Sequence, residues 1–515
     1  MNRDLTIGRT FIHNKTYYRF RTAQDLKLRS VPERFVTEKP AKKMIPLTWD
    51  VYPDLGEMES FGPLKVPSFE RRIATLLYYT MGLLRYEVNS PRAFHRPFPS
   101  PRGLYASEIY LSLPQEIIGE AGIYRYNPLY HAVEKRRSFT GWQQIEAAIG
   151  ISLTDAQGVL VLGIDFWRIA HVYDDFALNL ATIEAGHALG QILLTAQRLS
   201  RDVSVHYTFI DQEILSLFGL NEAEEAPLAV IVLWPAGKKK IEPATKFFAP
   251  SLPPFTGHSR YSREMAQCKE MLEMVRASRL RRGDPFPLIE IEKGIFEGDK
   301  KRMDWVPFQV VGAEWHDPSW LEAVKRRSSG NDLGGMMAAS TSLSFTQLSK
   351  MLLLLLGEKQ WEWQVALKHV KIFVVANRVN NLRSGIYRVV REPDGLIPYR
   401  QGSMGELLQK LSIYSPQSWN AHSFPVSIFL AVDYQSVLER YGNRGFQMVQ
   451  LWMGQISQNL SLSAAAMDCF LRPLKSFYEE EVEHAFGLLS TKDTIAYQLI
   501  LGKNKTPYLS FDLGF

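Results

Sequence analysis

The sequence predicts a chain made of two copies of one mixed helix-and-strand domain, packed as a pseudo-dimer. At 515 residues it exceeds what a single hydrophobic core holds, since chains of this size divide into domains of roughly 100–200 residues. Each half then runs through the same order of elements: amphipathic helix, loop, strands, a glycine-bearing apolar helix and a closing apolar strand. Individual segments also echo one another. GIYRYN at 122–127 returns as GIYRVV at 385–390, VLGIDFW as IFLAVDY, and LAVIVLWPAGK as IAYQLILGK.

Taken in order, residues 1–65 are basic, proline-punctuated and weakly periodic, and read as an extended arm laid over a domain surface. SFERRIATLLYYTM, from Ser68 to Met81, repeats apolar residues at helical spacing. After a proline-rich loop come a hairpin around GIYRYNPLYHAVEKRR, a short helix GWQQIEAAIG and a buried strand within VLVLGIDFWRI. IEAGHALGQILLTAQRL is an apolar helix whose Gly186 and Gly190, four apart, allow close helix packing. The strand APLAVIVLWPAG ends a first domain of residues 66–240. Residues 241–315 read as a linker holding one helix, and residues 316–515 repeat the domain. MLLLLLG, from Met351 to Gly357, is too short to span a bilayer and reads as buried helix.

Composition narrows the class. With 46% hydrophobic and 22% charged residues the chain is of ordinary globular make-up. Its 60 basic and 54 acidic residues leave only +6, too small a surplus at this length to indicate nucleic acid. Cys268 and Cys469 are the only cysteines, which excludes a disulfide scaffold and a four-thiolate zinc site. The N-terminus has no signal-like apolar core, so a cytoplasmic protein without a membrane span or a bound metal is expected.

The organising stretch is RPFPSPRGLYASEIY, from Arg96 to Tyr110. Prolines fix its backbone and Gly103 lets the chain come near a ligand, while Ser100 and Arg102 offer a hydroxyl and a cation. His187, on an apolar helix, reads as a satisfied core histidine.

That loop, followed by GIYRYNPLYHAVE and EAGHALGQ, resembles the SagB-type dehydrogenases of the nitroreductase superfamily, as does LERYGNRGF at Leu438–Phe446. The resemblance covers 68–240 and 320–505. It implies an α+β fold of two tandem nitroreductase-like domains, each a largely antiparallel sheet flanked by helices, with FMN between them. It further implies oxidation of thiazolines or oxazolines to azoles in a ribosomally made precursor peptide, oxygen as electron sink, and cyclodehydratase subunits as candidate partners. Arg326 and Ser328 match the family's phosphate-gripping Arg-x-Ser, completed by Lys503 and Lys505, although Gly330 stands where the family has a further cation. Pro99, Ser100, Arg102 and Gly103 match its Pro-Ser loop. In the first half Arg29-Ser30 lacks the spacing and Arg136-Arg137-Ser138 follows the loop, while the second-half counterpart of the loop is GEKQWEWQVALKHV. One composite FMN site and one decayed site are therefore expected. The family's Lys-Tyr pair for proton removal is here Arg440-Tyr441 and Val172-Tyr173; arginine does not deprotonate, so Tyr441 is the first candidate, aided by Arg440, and Tyr173 the second. An NAD(P)H-dependent small-molecule nitroreductase and a non-catalytic peptide-binding scaffold are the alternative readings.

Overall fold

The computed structural model describes residues 2–17, 44–49, 51, 69–88, 93–114, 120–138, 141–199, 202–237, 242–243, 267–284, 286, 289, 305–309, 318–330, 338–391, 393–505 and 509–513. The domain boundaries expected at 65/66, 240/241 and 315/316, most of the linker, and Arg29-Ser30 lie outside these residues.

In the first half the strands are β1 (Met44–Pro46), β2 (Arg85–Glu87), β3 (Phe94–His95), β4 (Ser107–Leu113), β5 (Gly122–Asn127), β6 (Ala132–Ser138), β7 (Gly158–Asp165), β8 (Asp202–His206) and β9 (Glu225–Trp234). The second half carries β10 (Val306–Pro307), β11 (Ala338–Ala339), β12 (Leu343–Ser344), β13 (Lys371–Ala376), β14 (Val379–Asn380), β15 (Gly385–Val390), β16 (Gly395–Gln401), β17 (Val426–Val432), β18 (Phe470–Leu474), β19 (Thr494–Asn504) and β20 (Ser510–Asp512). Two large sheets result, ordered β1-β6-β5-β4-β7-β9-β8 and β10-β16-β15-β13-β17-β19, the latter closed by β18 and β11 along the far edge of β19. Strand for strand they follow one plan, and every pair within them is antiparallel. The expected α+β class holds.

The middle strands read as unbroken apolar runs because both faces are covered. Leu160, Leu162 and Ile164 of β7 join the central core, while Val159 and Val161 join an outer core with Ile145 and Phe218. In β17, Ile428, Leu430 and Val432 face the centre and Phe429 and Ala431 face outward.

Two long helices, Ala177–Arg198 and Arg444–Ala466, cross at the centre of the molecule. A Cβ added to Gly186 would lie 2.4 Å from Leu451 O, and one on Gly454 would lie 2.2 Å from Ile183 O. Each glycine thus touches the other helix's backbone in the same way, as a twofold axis between them requires. The correspondence extends outward. Asp165 and Asp433 each turn their strand into a short helix, Trp167–Tyr173 or Tyr434–Tyr441, accepting from Trp167 N at 3.2 Å and Ser436 N at 2.9 Å.

Both ends of the chain cross between halves. The arm expected to be extended forms a helix over Leu5–Tyr17 instead. Asn2, just before it, caps the second central helix, its Oδ1 and O accepting from Arg444 N and Asn443 N at 2.8 Å each. Phe11 packs edge-on against Phe446 at 5.4 Å. The last strand, β20, pairs with β2 of the first half. Buried Arg444 forms an ion pair with buried Asp211 across the halves; removing one partner of such a pair typically costs ~3–5 kcal/mol.

Candidate functional site

The proline-rich loop is built against the first central helix. Phe98 and Pro99 are buried, Pro101–Gly103 make a single tight turn, and Ser100 bridges loop to helix. Its hydroxyl donates to Glu184 Oε2 at 2.6 Å and accepts from Tyr105 N at 2.8 Å. Ser107, at the start of β4, donates through both N and Oγ to Glu184 Oε1 at 2.7 Å. Glu184 is 1% exposed; burial pushes its carboxyl up, and the two serines and the Arg96 charge pull it back. Arg102 and Tyr105 adopt φ of 51° and 49°, left-handed conformations that cost a non-glycine residue ~1–3 kcal/mol each. Hydrogen bonds to a charged acceptor contribute about 1.5–3 kcal/mol each, enough to hold that strain.

The end of the second-half helix Pro318–Arg326 meets the first half at Arg85. Arg326, the family-matched residue, points outward, two-thirds exposed and paired with Glu322 at 3.1 Å. Its neighbour Arg327 turns inward and is 3% exposed, and Ser328 beside it is buried. Ser328 Oγ accepts from Gly330 N at 3.0 Å, and Arg472 donates to Ser329 O and Gly330 O at 2.5 and 2.9 Å. Gly330 has φ +85° and a Cβ there would press on the Phe470 ring at 3.0 Å, so this turn has no room for the family's cation. Lys503 lies on β19 half-exposed, 3.3 Å from Asp468, and Lys505 is exposed.

Polar groups stitch the two sides together. Arg85 of β2 donates to Lys325 O at 2.7 Å and Arg327 O at 3.4 Å, capping the second-half helix, while its charge is met by Glu87 at 2.6 Å. Gln458 of the second central helix donates to Pro97 O at 3.0 Å and to Gln191 Oε1 at 2.8 Å. Its Oε1 lies 3.3 Å from His187 Nδ1, and His187 Nε2 lies 3.2 Å from Tyr497 OH. Burial drives His187 down to about 3, against the pull of Gln458, and the Arg327 charge pushes the same way. His187 is neutral in the fold, partnered on both nitrogens. Arg327's charge also bears on His95, against the pull of Glu87.

The two tyrosines fare differently. Tyr441 is fully buried; its hydroxyl lies 3.0 Å from His369 Nε2, and its ring meets Trp452 edge-on at 6.0 Å. Arg440 stacks its guanidinium 5.7 Å from the Tyr441 ring, on the same side. Tyr173 is only partly buried and lies under Arg102 of the proline-rich loop, guanidinium to ring centre 5.8 Å. The loop thus gathers Pro99, Ser100, Arg102, Gly103 and Tyr173; Tyr441 and Arg440 sit at the symmetry-related place.

That related place is filled. Trp452 stands two residues before Gly454, as Glu184 stands two before Gly186. Trp363 precedes Ile372 by the same count as Ser100 precedes Ile109, and Ile372 pairs with Leu430 as Ile109 pairs with Leu162. The segment is a helix, Trp361–His369, in place of the turn. Trp363 and Trp452 are completely buried, and Trp452 stacks on His369 at 4.7 Å and meets Tyr207 of the first half edge-on at 5.8 Å.

Buried Arg327, the hydroxyls of Ser328 and Ser329, and Lys503 are cations and donors of the kind that suit a phosphate group. The donor set therefore fits a phosphorylated cofactor. Sequence reasoning had Arg327 only as the middle residue of the Arg326-Arg327-Ser328 motif, and missed Glu184 and Gln458. The Arg-Arg doublet carried the first signal, and Glu184's place inside an otherwise apolar helix carried the second.

No protein-family model matches the chain. A curated "putative nitroreductase" of Methanocaldococcus jannaschii is 28% identical over 156 residues, covering 30% of this chain and 75% of that protein. Among solved structures, a "putative nitroreductase" of Anabaena variabilis superposes over 97% of this chain and 99% of its own, with a TM-score of 0.74 at 19% identity. The nitroreductase-like fold accordingly extends through both halves. An Escherichia coli microcin synthetase complex with truncated pro-microcin bound overlaps 45% of this chain and 93% of one of its own, at 21% identity and a TM-score of 0.30, too partial a likeness to bear on function.

Proposed function

We propose that the chain is an FMN-dependent oxidoreductase with one flavin site per chain, and that it oxidises azoline rings in a modified precursor peptide. The observation that carries the reading is the asymmetry of two symmetry-related places: at one Ser100 and Glu184 hold the proline-rich loop, at the other Trp363 and Trp452 are buried instead. FMN supplies a hydride acceptor. Arg327, Ser328 and Lys503 hold its phosphate; the loop from Pro99 to Gly103, kept in place by Glu184 and Gln458, forms the opposite wall. Arg326 takes no part in this reading, because its side chain lies in solvent.

Removing a ring proton falls to Tyr173, with Arg102 holding a cation against its ring. Val172 stands where the resembled family has lysine, which leaves the tyrosine as the titratable member of the pair.

The test is quantitation of flavin released from purified protein, followed by turnover of an azoline-containing peptide under air. About one FMN per chain and oxidation lost in Tyr173→Phe are expected. Two flavins per chain would refute the closed junction, and reduction of nitroaromatics by NADPH without peptide turnover would make the protein a small-molecule nitroreductase.

A further inference from the structure

We infer that Glu184 is the positioning residue of the proline-rich loop: its carboxylate fixes the loop against the central helix in the one conformation that can face a cofactor. The inference rests on the functional reading for the cofactor's identity, but the anchoring itself rests on contacts within the chain. Three donors end on this carboxylate, from Ser100 Oγ, Ser107 N and Ser107 Oγ, at 2.6–2.7 Å. They bracket the loop, one before its tight turn and two at the first residue of β4. A carboxylate is the side chain with acceptor capacity for all three, as neither serine hydroxyl needs to receive a proton from it.

Hydrogen-bond accounting then decides what Ser100 can do. Its single hydroxyl proton goes to Glu184, and a lone pair takes Tyr105 N at 2.8 Å. Ser100 therefore reaches a ligand only as an acceptor, and its main contribution is to pass Glu184's hold on to Tyr105. Tyr105 is the second non-glycine residue of the loop with a left-handed backbone, and its ring also carries the Arg96 guanidinium at 4.4 Å. Glu184 to Ser100 to Tyr105 is a chain of contacts with a readable order. The closed junction shows the alternative, with tryptophans at both corresponding positions and a helix where the turn would be.

Amide hydrogen exchange on the full chain without added cofactor reads the chain directly. In Ser100→Ala the Tyr105 amide should exchange at least about tenfold faster while the Ser107 amide keeps its protection; in Glu184→Ala both should accelerate by that factor or more. Glu184→Gln, which retains an acceptor oxygen for Ser107 and whose amide can donate to Ser100, should restore the protection of Ser107. The Val161 amide, inside β7, reports the intact fold in every variant. Unchanged Tyr105 and Ser107 exchange in a folded Glu184→Ala protein overturns the inference, and so does Ser107 acceleration in Ser100→Ala. If Glu184→Ala does not fold, the Ser100→Ala and Glu184→Gln pair decides alone. Titration with FMN separates this inference from the functional reading. Weakening of about tenfold or more in Glu184→Ala, with partial recovery in Glu184→Gln, is expected. Absence of binding by the unaltered protein would sink the cofactor assignment and leave the exchange result standing.

Discussion

The two junctions between the halves share one scaffold and differ in what fills it. At one, Ser100 and Glu184 face each other through a 2.6 Å hydrogen bond. At the other, Trp363 and Trp452 take the corresponding positions, with His369 and Tyr441 packed against Trp452. A buried carboxylate and a strained turn are expensive to maintain, whereas a buried indole contributes ~1.5–3 kcal/mol or more of burial. Duplication lets one junction keep the costly polar arrangement and the other trade it for packing. A homodimer, whose two junctions are identical, cannot do this.

The largest effect should come from undoing the trade. Trp452→Ala removes a fully buried indole and should destabilise the protein by about 3–5 kcal/mol, read as a lowered denaturant midpoint. Flavin stoichiometry should stay at one per chain, because the cations lie at the other junction. A gain to two would mean that packing alone closes the second junction.

The next effect separates two adjacent arginines. Arg327→Ala should weaken FMN binding by about 100-fold or more, about 2.7 kcal/mol, in line with loss of a charge-assisted contact to phosphate. Arg326→Ala, which frees an exposed pair with Glu322, should change binding and stability by less than about 0.5 kcal/mol. Equal losses from both would return the phosphate grip to the outward residue.

This pair also marks where the sequence becomes illegible. The duplication, the order of elements and the apolar central strands could be read because hydrophobic runs and turn residues are local signals. Which of Arg326 and Arg327 turns inward depends on where the helix ends, and that is decided by Arg85 capping it from the other half. The choice between Tyr441 and Tyr173 likewise depends on which junction stays open. Nothing around Tyr441 in the chain announces that Trp363 and Trp452 will pack there. The helix over Leu5–Tyr17 and the pairing of β20 with β2 are contacts between opposite ends of the chain, beyond the reach of periodicity.

A smaller effect is pH-dependent. Burial first, then the Lys368 and Arg440 charges, lower His369 to about 4. A histidine whose folded value lies below its unfolded value of about 6.5 stabilises the fold fully above pH 6.5, and that contribution fades as pH falls towards 4. That contribution should be lost between pH 7 and pH 5. In His369→Gln, the loss over that interval should shrink by ~1–2 kcal/mol, measured by urea unfolding at both pH values. His187, lowered to about 3, and His131, lowered to about 4, obey the same sign, while Glu358 and Glu483, raised to about 7 by burial, act in the opposite direction, so the variant is read as a difference from the unaltered protein.

The smallest effect bears most directly on which junction is reactive. Tyr441→Phe removes only the hydroxyl that meets His369 at 3.0 Å, and loss of one such hydrogen bond costs about 1 kcal/mol. The ring keeps its edge-on contact with Trp452, so the junction stays filled. Turnover should be unchanged within about twofold, because the hydroxyl lies among aromatic rings at the closed junction, whereas Tyr173→Phe should lower turnover by about 100-fold, as expected for loss of a proton-transfer group. Measured side by side on one azoline peptide, the two variants assign the chemistry to a junction. A turnover loss confined to Tyr441→Phe would move the reaction to the tryptophan-filled side and overturn the asymmetry from which the one-site reading is built.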